Sequence, residues 1–390
     1  MFLTTALTFI IIFSLLIFLH ELGHFLTARR FGVRVIEFGF GLPARLIGVM
    51  RMNGTWKVVG SSYAPQEQDP TIYSLNWIPF GGFVKLYGED KVDEEQGKGS
   101  IARAPAWQRI IILSAGVAMN VLFTIALFSV GFMTGTPSVI EDDLSSRASL
   151  RDVRIQIVEV IPNSPASAAH IALGDTIRAV NGVRVDSIQE FQNTIRSMEG
   201  SSLTLTLESD GARREVSVKP EKLPEGGGVP LVGVGLIRTG VVSYPWHLAV
   251  YEGIRSTYYL AQRLIQTFIA ILIKLITTGS TQAVISGPVG IAVLTGEVVH
   301  LGFLYVVQFA ATLSLNLAIL NYLPIPALDG GRVLFIFIEI LRGRAISRKL
   351  ESVIHTVGFA LLLLLIVFVT YRDVLRYGAE MLQALKSFIG

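Results

Sequence analysis

The chain has 390 residues, 51% of them hydrophobic, and its mean hydropathy is +0.55. These values are typical of a membrane protein with room for one soluble domain of ordinary size. The formal net charge of +3 argues against nucleic-acid binding, and the absence of cysteine excludes disulfides and thiolate metal ligands.

The N-terminal apolar stretch predicts the first membrane span. The run from Phe2 to Phe18 has no charged residue, and an HExxH motif follows it from His20 to His24. The stretch lacks the basic start and the small-residue cleavage site of a signal peptide. We therefore expect a transmembrane helix over about 3–27.

The HExxH spacing predicts a metal site at membrane depth. Residues four apart share one face of a helix, so His20 and His24 can bind one metal ion, with Glu21 beside it as a general base. A charged group in a membrane helix costs roughly 2.5–3.5 kcal/mol, and function is the usual reason to tolerate that cost. The alternative is a chance motif with histidines satisfied in the core.

The chain then alternates between membrane and soluble character. A second span is expected over about 108–132, which completes a first membrane part over 1–134. Residues 150–222 are charged and strand-like, as in the alternating run from Leu203 to Leu207, and predict a soluble α+β domain. The glycine-rich stretch 224–230 predicts a linker.

The C-terminal half predicts a second membrane part over 301–371, with the third and fourth spans. In the juxtamembrane segment 243–300, residues 264–276 are apolar but short, which favours a re-entrant or interfacial helix. The tail 372–390 has an amphipathic pattern that suits the membrane surface or, alternatively, core packing. About four transmembrane helices are expected, in a polytopic α-helical membrane protein.

Asp329 is the best candidate for the third metal ligand. It follows Pro324 and Pro326, which cannot continue a regular helix. Irregular backbone at membrane depth is tolerated where it lines a cavity or is buried in protein. The alternative is a structural proline kink with a capping aspartate.

Basic residues predict the orientation in the membrane. They follow the first span, precede the second, and lie between the third and fourth: Arg29, Arg30, Arg34, Arg103, Arg109, Arg342, Arg344, Arg348 and Lys349. These stretches are expected on the cytoplasmic side, with the soluble domain on the other side. The candidate metal ligands then fall near the cytoplasmic side, although Arg372 and Arg376 weakly oppose this orientation.

Taken together, these motifs resemble the site-2 protease family of intramembrane zinc metalloproteases, and most closely its bacterial regulator-of-sigma-E type. The resemblance rests on HExxH in the first span paired with N-x-x-P-x-P-x-L-D-G from Asn321 to Gly330 in a late span. Further matches to family elements are Gly39–Gly41, the membrane-associated β-loop at Pro79–Leu86 within 35–90, Gly116–Asn120, and Gly287–Ile291.

The soluble domain resembles a single PDZ domain of bacterial proteases. The matching stretches are Pro162–Ala166, Leu173–Ile177 and Val180–Gly182, although His170 stands where the pattern has glycine. PDZ domains capture extended peptides by strand addition. A size filter that excludes bulky ectodomains is the alternative.

The resemblance implies one Zn²⁺ held by His20, His24 and Asp329, with Glu21 as catalytic base. Asn321 and Asn120 are candidates for binding the substrate backbone, although Asn120 is equally a helix-packing contact. The β-loop would hold unwound substrate by strand pairing through Gly81, Gly82, Phe83, Val84 and Lys85.

The implied substrates are single-pass membrane proteins such as anti-sigma factors, together with remnant signal peptides, cut in a bacterial inner membrane. Lipid and a peptide or ectodomain at the PDZ-like domain are the other expected partners. Competing functions are a non-catalytic membrane scaffold and a transporter. The complete ligand set argues against the scaffold, and the lack of an evident inverted repeat argues against the transporter.

Overall fold

The computed structural model describes residues 2–66, 69–89, 97–140, 147–162, 164–198, 200–209, 212–222, 230–278, 287–344 and 346–389. Within the predicted segments, Asn163, most of the linker 224–230 and residues 279–286 lie outside these ranges. The chain divides into two compact units. The first unit comprises Met1–Ser129 and Glu252–Gly390, and the second comprises Val130–Tyr251.

The regular elements follow one another in chain order. They are α1 (Phe2–Arg30), β1 (Val35–Met52), β2 (Thr55–Gly60), β3 (Ile72–Leu86), α2 (Ala106–Thr134), β4 (Thr136–Val139), β5 (Ser149–Val160), α3 (Pro165–Ala168), β6 (Thr176–Val180), β7 (Val183–Arg184), α4 (Ile188–Ser197), β8 (Leu203–Ser209), β9 (Ala212–Val218), β10 (Glu221–Lys222), β11 (Pro230–Leu231), β12 (Val234–Ser243), α5 (Trp246–Thr278), α6 (Pro288–Leu301), α7 (Phe303–Asn321), α8 (Asp329–Arg342) and α9 (Arg348–Ile389).

Five helices in the described chain are long and apolar enough to cross a membrane, where the sequence predicts about four. The additional one is α5. Residues 264–276, expected to be a short re-entrant or interfacial helix, are the apolar part of this continuous 33-residue helix. The prediction was wrong about the length because the helix begins at Trp246, well before the apolar run, and ends at Thr278, just after it. At 1.5 Å per residue it is about 50 Å long.

The first span ends by a recognisable signal. Gly32 adopts φ +73°, a conformation that favours glycine just beyond a helix, and Arg29 and Arg30 lie in the last turn of α1. Near the other end of the chain, α9 is a single helix through both the predicted fourth span and the tail. The side chains of the tail after Gly378 lie outside the described part, so its amphipathic role stays a prediction.

The sheet of the first unit is built from β1, β2 and β3 in the order β2-β1-β3. β1 is long and irregularly paired, and its residue Gly39 lies opposite both Phe83 and Ser74 of β3. The start of β1 therefore lies between two segments of β3. The segment 82–86 is on one side of it, and its outer edge pairs with no other strand among the described residues. That edge lies along α1.

The second unit is an α+β fold with a sheet ordered β4-β12-β5-β6-β8-β9, while β7 pairs with β6. Side chains alternate between the two faces of β8, which buries Leu203, Leu205 and Leu207. These leucines pack in one apolar core with residues of α3 and α4. β4 and β12 belong to the sheet although they lie outside the predicted domain 150–222. The sequence did not predict them because long-range strand pairing leaves no local signal.

Candidate metal centre

Helix α1 places two imidazoles one turn apart, and both are buried. The Nε2 atoms of His20 and His24 lie 3.2 Å apart. Oδ2 of Asp329 lies 3.0 Å from Nε2 of His20 and 3.3 Å from that of His24. All three ligand atoms lie within 4.8 Å of one another, so one ion can contact them together. Two imidazole nitrogens and a carboxylate oxygen are a donor set that suits zinc and leaves a position open for water.

The second nitrogen of each imidazole has its own partner. Nδ1 of His24 lies 2.8 Å from the carbonyl of Ile112 on α2 and donates to it, which leaves Nε2 free as a ligand. Nδ1 of His20 lies 3.5 Å from the side-chain amide of Asn120, which is fully buried. Asn120 therefore lies behind the candidate ligand and not on an open surface.

The amide orientation of Asn120 decides which nitrogen of His20 can bind metal. Oδ1 of Asn120 is buried and has no hydrogen-bond partner among the described residues. Turning the amide by 180° lets Oδ1 accept from the Nδ1–H of His20, and the same turn satisfies the buried oxygen. This orientation leaves Nε2 of His20 unprotonated and fits a metal ligand.

Close packing of α2 against the two imidazoles requires a glycine. A Cβ added to Gly116 would lie 2.4 Å from Nε2 of His24 and 2.8 Å from Nε2 of His20, inside the space where the ion would sit. The motif Gly116–Asn120 thus contributes twice, once by leaving room for the ligands and once through the contact of Asn120 with His20.

A broken helix positions Asp329. The chain leaves α7 at Asn321, passes Pro324 and Pro326, and begins α8 at Asp329 after Leu328 in an extended conformation. Ala327 has φ +79°, an uncommon conformation for a residue with a side chain. Its N–H donates to Nδ1 of His355 on α9, at 2.9 Å. His355 thus holds the turn that precedes the aspartate.

The outer edge of β3 is covered by side chains of α1. Val84 N–H donates to Oε2 of Glu21 at 3.1 Å. About two turns earlier on α1, Ser14 Oγ accepts from Gly81 N–H and donates to the carbonyl of Pro79, both at 3.2 Å. The catalytic-base candidate is therefore held at the edge that was predicted to receive substrate.

The remaining predicted site residues lie around this centre. Nδ2 of Asn321 is 3.5 Å from Nε2 of His20, and its side chain is half-buried. The predicted β-loop residues belong to β3, which pairs here with β1. Gly82 lies opposite Phe40, Phe83 opposite Gly39 and Lys85 opposite Glu37. The fold brings His20, His24 and Asp329 together, with Glu21, Asn120 and Asn321 adjacent.

Sequence reasoning did not single out four residues that contact these elements. Ser14 and His355 were hidden in apolar helices, where a single polar residue gives no hint of its partner. Glu89 and Arg332 form an ion pair between the end of β3 and α8. A second ion pair joins α2 to α8, with Arg109 and Glu339 2.7 Å apart. Polar character in apolar surroundings could have suggested Ser14 and His355, whereas Glu89 lies in a charged stretch that gives no such signal.

The second unit contains a groove of about 300 Å³ between α4 and the stretch 230–236. Its lining includes Ile188, Gln192 and Arg196 from α4 and Leu231 and Leu236 from the facing stretch. The groove is thus apolar along its length with polar side chains on one wall.

The chain matches a family model described as Peptidase family M50 over residues 8–60 and 58–365. It is 29% identical to the zinc metalloprotease RasP of Geobacillus kaustophilus, over 96% of this chain and 99% of that protein. The regulator of sigma-W protease RasP of Bacillus subtilis is 28% identical over 96% and 99%. A putative zinc metalloprotease of Clostridium perfringens, CPE1693, is 31% identical over 93% and 96%.

Among solved structures, the chain is similar to the PDZ domain of an SdrC-like protein from Listeria monocytogenes. The match is 23% identical and covers 21% of this chain and 85% of that one, with a TM-score of 0.19.

Proposed function

The chain belongs to peptidase family M50, and on that premise we propose that this integral membrane metalloprotease hydrolyses peptide bonds within or near the transmembrane segments of single-pass membrane proteins. The observation that carries the proposal is the convergence of His20, His24 and Asp329 inside a bundle of apolar helices. A hydrolytic centre at this depth has its substrate in the same membrane.

The proposed cofactor is one zinc ion held by those three side chains. When bound, zinc supplies a Lewis acid that activates water for attack on a peptide carbonyl and stabilises negative charge on its oxygen. The chain supplies the geometry. Ile112 and Asn120 contact the Nδ1 atoms of the two imidazoles, and these contacts fix the direction of the two Nε2 atoms.

Glu21 is the proposed general base. Glu21 follows His20 in the same helix, its side chain is half-buried, and its Oε2 accepts from Val84 N–H. It would take a proton from the attacking water and pass it to the leaving amine. Asn321 has its amide turned toward the same cluster and would donate to a substrate carbonyl. Asn120 is buried behind His20, which favours a role in holding that ligand.

Substrate must unwind before it is cut, since each carbonyl in a membrane helix is bonded to an N–H four residues on. The outer edge of β3, over Gly82 to Leu86, has two backbone donors that are bonded to carboxylates: Val84 N–H to Glu21 of α1, and Leu86 N–H to Glu89. An unwound segment would pair there by strand addition and come to lie beside Glu21. The side-chain contacts that now cover the edge would be exchanged for substrate carbonyls.

Proposed substrates are anti-sigma factors already shortened by a first cut, and remnant signal peptides. The name of the Bacillus subtilis relative, regulator of sigma-W protease, supports the first of these. We place the enzyme in a bacterial inner membrane, with the basic ends of α1 and α8 on the cytoplasmic side and the metal centre near them. The second unit, Val130–Tyr251, which is called the inserted domain from here on, would then face the other side.

The groove beside α4 supports peptide capture by the inserted domain. It runs between a helix and the start of β12, so that an extended chain could lie there as an added strand. A size filter would need no such groove. Both proposals concern selection of the substrate and leave the chemistry at the metal centre unchanged.

The test compares the wild type with Glu21→Gln in detergent, on a truncated single-pass substrate followed by immunoblot. We expect a shortened fragment only with the wild type and equal zinc content in both proteins. Chelation should abolish cleavage, and added zinc should restore it. Asp329→Asn should lower both zinc content and cleavage. Normal cleavage by Glu21→Gln would refute the assignment of the base, and cleavage after complete chelation would refute the metal mechanism.

A further inference from the structure

The outer edge of β3 has two backbone donors occupied by carboxylates. Val84 N–H donates to Glu21, and two residues on, Leu86 N–H donates to Oε2 of Glu89 at 3.4 Å. Alternate residues along a strand direct their N–H groups to the same edge. These two donors therefore form one row, and a substrate strand that pairs with β3 would use that row.

Glu89 also contacts the helix that begins with a metal ligand. Its Oε1 forms an ion pair with the guanidinium of Arg332, and the two side chains are only partly exposed. Arg332 lies three residues after Asp329, within the first turn of α8. Because Glu89 follows the last residue of β3 by only three positions, its ion pair with Arg332 connects the end of β3 to the helix that carries Asp329 whether or not Leu86 N–H is bonded to Glu89.

This connection bears on which peptide bond reaches the metal. A strand advances about 3.3 Å per residue, and a slip of two residues keeps every side chain on its own face. A paired substrate can therefore shift by about 6.6 Å without changing its face. The bond that lies at the ligand cluster is then decided by the distance between the edge of β3 and Asp329.

We propose that Glu89 and Arg332 form a specificity-determining strap that holds the outer edge of β3 at a set distance from Asp329 and so selects the peptide bond that is cut. This inference rests on the proposed function. Both are positioning residues, because they act through β3 and α8 and do not contact the reacting atoms.

The experiment maps the cut by intact-mass spectrometry, using the full-length zinc enzyme in liposomes with a single-pass substrate. The variants are Glu89→Ala, Arg332→Ala, and the exchanged pair Glu89→Arg with Arg332→Glu. The wild type should cut one bond. Each single variant should cut at additional bonds two residues away, with kcat reduced about ten- to a hundredfold and zinc content unchanged. The exchanged pair should return to one cut.

The matched control is Arg109→Ala, which removes the ion pair with Glu339 of α8 without contacting β3. It should keep one cut even if α8 is less stable. A single unchanged cut in both Glu89→Ala and Arg332→Ala would overturn the strap, and so would loss of zinc in parallel with loss of cleavage. A zinc-loaded wild type that cuts no single-pass substrate would overturn the proposed function itself, and the strap with it.

Discussion

The ligand histidines owe their orientation to groups on α2 that the HExxH motif does not contain. His24 donates to a backbone carbonyl, a partner that any residue at position 112 supplies. Nδ1 of His20 lies 3.5 Å from the side-chain amide of Asn120, which is fully buried and whose Oδ1 has no partner in the described chain, so turning the amide supplies an acceptor for the Nδ1–H. Metal-binding histidines usually donate their second nitrogen in this way, and loss of the acceptor weakens metal binding.

Asn120→Ala should therefore weaken zinc affinity by about 10- to 100-fold, because His20 loses the acceptor that fixes its tautomer. The measurement is competition with a zinc chelator, using purified protein. Thr124→Val is the matched control: it removes a buried hydroxyl that bonds to the backbone carbonyls of Asn120 and Ala311, but it keeps the Asn120 side chain and contacts neither imidazole. If both variants bound zinc equally, Asn120 would be a packing residue only.

At the level of elements, the break between α7 and α8 depends on a contact from a third helix. Ala327 is held with φ +79° while its N–H donates to His355 of α9. Removing an acceptor from a buried donor costs about 1–3 kcal/mol. The turn would then relax, and Asp329 follows it by two residues.

His355→Ala should lower zinc occupancy and the unfolding temperature together, while His355→Asn should recover much of both, because the asparagine oxygen lies near the position of Nδ1. Metal analysis and thermal unfolding on the same samples test this. Full zinc occupancy in His355→Ala would show that the turn needs no support from α9.

The inserted domain carries a buried acid that makes its stability depend on pH. Burial raises the pKa of Asp175, but hydrogen bonds from Ser209, the Ala172 N–H and the Arg214 guanidinium outweigh burial and hold that pKa below its usual range. Because the folded pKa is depressed, the stabilisation is complete above the unfolded pKa of about 3.9 and is lost as the pH falls through the folded pKa.

Backbone amides of β8 in this domain should exchange with solvent faster below about pH 4, after correction for the intrinsic exchange rate. The variant Asp175→Asn should be less stable at pH 7, and its exchange should no longer accelerate in acid. Hydrogen exchange on the full chain measures both. Asp186→Asn, an exposed acid in the same domain, should behave as the wild type. Equal acid sensitivity in Asp175→Asn would assign the effect to other groups.

The elements that the sequence could predict are those with a local signal. The charge-free run of α1 and the paired prolines before Asp329 each mark a feature within a few residues. α5 was misjudged because a helix continues through polar residues once its backbone is bonded, and the apolar window 264–276 marks only one part of it. β4 and β12 join their sheet through pairing with distant residues, which no local pattern records.

The candidate centre shows the same limit. The candidate ligands His20, His24 and Asp329 could be named because each belongs to a motif with chemical meaning. His355 and Glu89 could not, since their roles exist only once α9 and α8 are placed beside the ligand loop and β3.

For the whole molecule, substrate choice would be divided between the metal centre and the groove of the inserted domain. Gln192→Trp should fill that groove, since Gln192 lines it and is exposed. If the groove captures peptide, the variant should raise KM for substrates with an extended extracytoplasmic tail and leave tail-less substrates unaffected. Asn193→Trp, exposed on the same helix but outside the lining, is the matched control. Equal kinetics for the two variants would favour the size filter.

If this chain cuts peptide bonds inside a membrane, as proposed, the masses of the products show where the cut lies. The zinc-loaded full-length protein would be reconstituted in liposomes with a single-pass substrate, and both fragments would be weighed by mass spectrometry. We expect one new terminus within or at the border of the transmembrane segment, absent with Glu21→Gln. Termini only in the soluble part of the substrate, or equal products from both proteins, would contradict it.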